Sequence, residues 1–127
     1  MAKYSASLRV LIVDDEPLIR WSMAEILADA GHVTIEATDG AAAIRAVSQP
    51  VDVILLDYRL RDSNDLTLLS TLKRLAPDSA IVIMTTSGTP DVTMEALRLG
   101  AHRVLAKPFE LHDLAALVGH ANSCRPI

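Results

Sequence analysis

The feature that most constrains this chain is a pair of nearly continuous apolar runs, residues 51–56 and 80–84, both rich in Ile and Val. A strand without polar alternation has no face to offer to water, so it must lie in a sheet covered on both sides. Two further short runs, 8–13 and 103–106, read as buried strands of the same sheet. Residues 33–37 differ, because Val33, Ile35 and Ala37 alternate with Thr34 and Glu36, the pattern of an edge strand. Helical patterns fill the gaps. Residues 17–30 open with Pro17, close before Gly31 and carry Ile19, Met23, Ile26, Leu27 and Ala30 as one apolar stripe. Residues 40–47 are short and Ala-rich, 66–75 repeat Leu at helical spacing, 91–99 follow Pro90 and end at Gly100, and 110–120 follow Pro108. Five strands alternating with five helices imply a parallel sheet with right-handed crossovers and helices on both faces, a doubly wound α/β domain.

A chain of 127 residues has the size of one domain with one core. That domain is expected over residues 8–121, after an N-terminal extension at 1–7 and before a tail or linker stub at 122–127. Aromatics are only 3% of the residues, so the core must be aliphatic. The net charge of −4 and the lack of any Lys/Arg cluster give direct nucleic-acid or anionic-membrane binding little electrostatic support. No apolar run is long enough to span a bilayer, and the first residues lack the apolar stretch of a secretory signal. A single cysteine, Cys124, cannot form an intramolecular disulfide and fits a reducing compartment, so the cytoplasm is the expected location.

In doubly wound sheets ligands gather outside the carboxyl ends of the strands. Here those ends carry Asp14, Asp15 and Glu16 after the first strand, Asp57 after the third, Thr85, Thr86 and Ser87 after the fourth, and Lys107 and Pro108 after the fifth. Carboxylates converging from two strand ends repel one another unless a cation neutralises them. With no His or Cys beside them in sequence, hard oxygen ligands suit Mg²⁺ better than zinc. A hydroxyl (Thr85) and an ammonium (Lys107) could then hold an anion beside the metal, which is the set that phosphoryl transfer to a carboxylate requires. Each element alone has a plainer reading, as an acidic helix cap, a turn residue, a β-branched strand residue or a loop dipeptide. Their joint placement at four strand ends carries the signal.

The segments VLIVDDE at 10–16, VILLD at 53–57, IVIMT at 81–85 and LAKPF at 105–109 resemble the four signature segments of bacterial two-component response-regulator receiver domains. Arg59-Leu60 and Gly100-Ala101 are similar to receivers of the nitrogen-regulator type. The resemblance covers nearly the whole chain. It implies a flavodoxin-like (βα)5 fold with strand order 2-1-3-4-5. It also implies an Mg²⁺-dependent phosphoryl transfer from a phosphohistidine onto Asp57, with Mn²⁺ able to substitute. By the same resemblance Asp15 binds the metal directly, Asp14 acts mainly through a metal-bound water, and the backbone carbonyl of Arg59 completes the protein's share of the shell. Lys107 pairs with a phosphoryl oxygen, Thr85 bonds another, and the N–H groups of Tyr58 and Thr86 assist. The Lys107–Pro108 bond is cis in similar proteins. Expected partners are a sensor histidine kinase or phosphotransfer protein, a second copy through the fourth helix, fifth strand and fifth helix, and an output domain or partner outside this chain. Such a domain is a signalling switch rather than an enzyme, with only weak self-phosphorylation and autodephosphorylation.

The chain departs from the family pattern at four points. Val104 replaces the usual Tyr or Phe three residues before the conserved Lys, so the aromatic toggle is missing. Thr86 stands where a small residue is usual. Arg61 and Asp65 replace a frequent Pro and Gly in the loop after Asp57. None removes a group that phosphorylation needs, but Val104 keeps open a second class, a pseudo-receiver that serves as a phosphorylation-independent interaction module. A haloacid-dehalogenase-type hydrolase would need Asp at position 59, where this chain has Arg. Trp21 reads as a packing residue on the first helix, or as part of a partner-docking face. His32, His102, His112 and His120 lack metal spacing and read as surface residues, and Cys124 has no activating neighbour but Arg125.

Overall fold

Residue parity along each strand decides which face of the sheet a side chain serves. The computed structural model describes residues 7–63, 65–86 and 88–123, so Ser87 and Cys124 lie outside the described residues. Five strands, β1 (Arg9–Val13), β2 (Val33–Ala37), β3 (Val53–Asp57), β4 (Ala80–Thr85) and β5 (Arg103–Ala106), pair in parallel in the order β2-β1-β3-β4-β5. This is the expected order. Leu11, Val13, Ile54, Leu56, Ile81 and Ile83 point to one face and meet α2 (Gly40–Ala46), α3 (Thr67–Leu75) and α4 (Pro90–Arg98). Val10, Ile12, Val53, Leu55, Val82 and Met84 point to the other and meet α1 (Pro17–Asp29) and α5 (Leu114–Ser123). Both faces are thus covered, which is why the central strands could dispense with polar alternation.

Several boundaries differ from the sequence expectation for local reasons. The strand β5, read as buried, is an edge strand, with Arg103 and Ala106 exposed and Val104 and Leu105 only partly covered. It has a neighbour on one side alone, and its chain-level apolar pattern does not distinguish that position from a central one. Ala30 drops out of the stripe on α1 because it is the C-cap, and Gly31 follows at φ +94°, a left-handed conformation that ends the helix at low steric cost. Gly100 closes α4 in the same way at φ +108°. The fifth helical segment begins as a 3-10 turn (Leu111–Asp113) before α5 proper, and α5 runs to Ser123 with Ala121 fully buried. The helix therefore continues past Ala121, where a frayed tail was expected, because Ala121 packs with Met23 and Val118 in the α1/α5 core.

Not every histidine is a plain surface group. The Nδ1 atom of His32 accepts a hydrogen bond from the Leu8 backbone N–H at 3.1 Å, and the rings of His102 and His120 lie 5.6 Å apart. Burial, then the nearby His120 and Arg103, push the His102 imidazole below its usual range. Among the described residues no helix is long and apolar enough to cross a membrane.

Candidate functional site

Two strands, β1 and β3, end at one edge and deliver the acidic residues there. Asp14 follows β1 directly, and its N–H still pairs with the Ala37 carbonyl at 3.1 Å, as if the ladder to β2 ran one residue further. Its side chain is 0% exposed, with Oδ1 accepting from the Glu16 N–H at 3.0 Å and Oδ2 from Lys107 Nζ at 2.9 Å. Asp57 is the last residue of β3 and 8% exposed. Oxygens of Asp14, Asp15 and Asp57 all lie within 4.8 Å of one another.

Lys107 is the counter-charge. It follows β5, and the Lys107–Pro108 peptide is cis. Its Nζ lies 2.9 Å from Asp14 Oδ2, 3.4 Å from Asp57 Oδ2 and 3.9 Å from Glu16 Oε1. Burial would pull the ammonium down, but the Asp14 hydrogen bond and the charges of Asp57 and Asp14 prevail and hold it above its usual range. Asp57 has the opposite balance. Burial is the largest influence and, with Asp14 adding repulsion, pushes its carboxyl up to about 6 although Lys107 and the Arg59 N–H pull it down. A carboxyl poised there is ionised at neutral pH yet more basic than an exposed one, which favours it as a nucleophile.

Thr85 stands apart from this cluster. It ends β4 and is 2% exposed, but its parity is that of Ile81 and Ile83, on the face of α2 to α4. Asp14 and Asp57 share the parity of Ile12 and Leu55, on the opposite face. The Thr85 methyl would lie 3.3 Å from a Cβ built on Gly88, and Val104 Cγ1 would lie 4.0 Å from that same point. Thr85 and Val104 therefore border one small space at the start of α4. The strand ends also hold Lys107 N–H on the Thr85 carbonyl at 2.8 Å.

One expected donor is already committed. The Tyr58 N–H donates to the Met84 carbonyl at 2.8 Å, so it continues the β3–β4 ladder instead of facing Asp57. The N–H directed at Asp57 is that of Arg59, 3.4 Å from Oδ1. Sequence alone had no signal for this, since one extra ladder bond shifts the free amide by a residue. Asp62 was also missed. Its carboxylate accepts from the N–H groups of Gly40 at 2.8 Å and Ala41 at 3.2 Å, tying the loop after Asp57 to the start of α2. Those bonds hold its pKa below the ordinary carboxylate value. Asp65, which replaces a frequent Gly, accepts from the Thr67 N–H at 2.9 Å at the start of α3, and no described non-glycine residue has positive φ. Asp65 therefore fits this loop without the left-handed backbone that would favour glycine.

Beside Lys107 lies an open groove of about 490 Å³, bordered by Leu18, Ile19, Ser22, Thr86 and Phe109. Trp21 is 57% exposed and belongs to neither core, and Leu18 is 73% exposed. Packing therefore accounts for little of Trp21.

Comparison with known proteins agrees with this geometry. A family model described as response regulator receiver domain matches residues 10–119. The DNA-binding transcriptional regulator NtrC of Escherichia coli K12 is 36% identical over 115 residues, which are 90% of this chain but 24% of that protein. The sporulation initiation phosphotransferase F of Bacillus subtilis is 31% identical over 107 residues, 84% of this chain and 86% of that protein. A solution structure of the beryllofluoride-activated NtrC4 receiver domain dimer superposes with a TM-score of 0.84 at 30% identity, covering 91% of this chain and 96% of that one. This chain thus spans about a quarter of the length of the NtrC relatives and most of the length of the shorter one. With the strand order, the acidic cluster and a family match over most of the sequence in agreement, the chain belongs to the response-regulator receiver family, among relatives of the nitrogen-regulator type.

Proposed function

We propose that this domain accepts a phosphoryl group on Asp57 from the phosphohistidine of a kinase or phosphotransfer protein, in a Mg²⁺-dependent reaction in the cytoplasm, and so changes a protein-binding surface. The observation that carries this reading is the buried Asp57 carboxylate with Lys107 3.4 Å away and the Asp14 and Asp15 oxygens within 4.8 Å. In the transfer a carboxylate oxygen of Asp57 attacks phosphorus, the P–N bond breaks, and the imidazole leaves with its electron pair. The donor set fits a hard divalent cation, because it is all oxygen and carries more negative charge than Lys107 offsets. Asp14, Asp15, Asp57 and the Arg59 backbone carbonyl would hold Mg²⁺. Bound there, the cation would offset charge on the transferred oxygens.

The chain's own groups then have defined work. Lys107 takes one phosphoryl oxygen and balances the charge that the product adds. The Arg59 and Thr86 N–H groups hold others. The Thr85 hydroxyl turns toward the new group from the α4 side, and the space it leaves is bordered by Val104 instead of an aromatic ring. The signal therefore passes by shifts in the backbone around α4. Self-phosphorylation from small donors and autodephosphorylation are slow side activities of the same site. The receiver unit extends from Leu8 to the end of α5, and α4-β5-α5 is the surface for a second copy or an output partner. Leu18, which lines the groove at Lys107, and Trp21, exposed on the same helix, suit docking of the phosphoryl donor.

Acetyl phosphate or beryllofluoride with and without Mg²⁺, on the wild type and Asp57→Asn, tests the reading. A Mg²⁺-dependent adduct or set of amide shifts is expected in the wild type alone. Its absence would leave a phosphorylation-independent interaction module as the better account.

A further inference from the structure

We infer that Arg20, anchored by Glu36, is a positioning residue for the metal-binding turn: it holds the Asp14 backbone so that Asp15 faces Asp57. This rests on the proposed Mg²⁺ role of Asp14 and Asp15. The β1 ladder ends at Val13, and the Asp14 N–H makes the last bond toward β2. Beyond that point the Asp14 carbonyl has lost its regular partner, and Arg20 Nη1 supplies one at 2.8 Å. Arg20 Nε is fixed in turn by Glu36 Oε1 on β2 at 3.0 Å, and the Arg20 side chain is only 15% exposed. A guanidinium with two partners at fixed angles holds orientation better than an ammonium.

Asp14 is gripped at every polar group, by Ala37, Arg20, Glu16 and Lys107. Asp15 makes no side-chain hydrogen bond among the described residues. Its direction is therefore set by the backbone of the turn, and that backbone is what Arg20 holds. The placement is informative because the charge works the other way. A cation next to three carboxylates weakens Mg²⁺ binding on Coulombic grounds alone, so its presence there is better explained by geometry.

The two roles predict opposite signs. Mg²⁺ affinity is measured by calorimetry on the full chain for wild type, Arg20→Ala, Arg20→Lys, Glu36→Gln and Glu36→Ala, with amide hydrogen exchange of Asp15 and Glu16 in the metal-free proteins. Loss of an outer partner of a ligating group weakens metal binding about tenfold or more, and Arg20→Ala should do so while the Asp15 and Glu16 amides exchange faster. Acetyl phosphate acceptance should slow at low Mg²⁺ and recover at saturating Mg²⁺. Arg20→Lys keeps the charge but should not restore affinity. Glu36→Gln, which keeps an acceptor, should stay near wild type, and Glu36→Ala should fall between. If Arg20→Ala does not fold, Glu36→Gln against Glu36→Ala carries the test, because both remove the same charge and only Glu36→Ala removes the acceptor for Arg20 Nε. Tighter or unchanged Mg²⁺ binding in Arg20→Ala, with normal binding in the wild type, would overturn the inference, as would equal binding by Glu36→Gln and Glu36→Ala. No Mg²⁺ binding by the wild type would instead defeat the functional reading on which it rests.

Discussion

Replacing Asp57 by Asn should stabilise the metal-free protein, and the gain should depend on pH. Burial and the Asp14 charge raise the Asp57 carboxyl from 3.8 to about 6. Between those values the native protein holds a proton that the unfolded chain has released, so stability contributed by this group falls as pH rises. Each tenfold difference in proton affinity is worth about 1.4 kcal/mol, so ionised Asp57 costs the fold up to about 3 kcal/mol above pH 6. This is an upper bound, because water entry and local relaxation reduce the penalty. Asn has the shape of the neutral acid and avoids the cost. Urea unfolding in EDTA should therefore show Asp57→Asn more stable by about 1–3 kcal/mol at pH 8, about half of that near pH 5, and little at pH 4. Mg²⁺ should narrow the gap by stabilising the wild type, by about 2.7 kcal/mol at a hundredfold excess over its dissociation constant. Equal stability of the two proteins at pH 8, or a gain undiminished at pH 4, would refute the account of why this carboxyl is perturbed.

Three further outcomes follow from the same contacts. Lys107→Met leaves Asp14 and Asp57 without their shared cation and should cost about 3 kcal/mol by urea titration at pH 8, less at pH 5, where Asp57 regains its proton. Thr86→Ala removes an exposed β-branched side chain at the end of β4, and the phosphoryl group should be lost faster; an unchanged lifetime by phosphate release would show that Thr86 shields nothing. Asp62→Ala frees the two N–H groups at the start of α2 and should lower stability by about 1 kcal/mol, with faster exchange at Gly40 and Ala41.

Much of the fold was legible because the chain encodes it in short-range pattern. The Ile- and Val-rich runs, the Pro residues opening α1 and α4, and Gly31 and Gly100 closing them each act locally. What escaped the sequence depends on neighbours. The edge position of β5 follows from strand order, and its four residues look like those of a central strand. The commitment of the Tyr58 N–H to Met84 and the direction of the Arg59 N–H come from the β3–β4 register. Arg20 and Asp62 act on backbone groups that are distant in sequence, and no motif marks such contacts. The candidate site was easier to anticipate, since parallel strands deliver their carboxyl ends to one edge. The face taken by Thr85, away from Asp14 and Asp57, required the parity of β4 in place.

The central claim is that Asp57 is the phosphoryl acceptor and that the acidic cluster makes the transfer depend on Mg²⁺. An acyl phosphate is reduced by borohydride to an alcohol, so the acceptor can be marked after reaction with acetyl phosphate and located by peptide mass spectrometry. The account predicts homoserine at position 57 with Mg²⁺ present, and none with EDTA or in Asp57→Asn. Modification at another residue, or equal modification of Asp57 without a divalent cation, would contradict it.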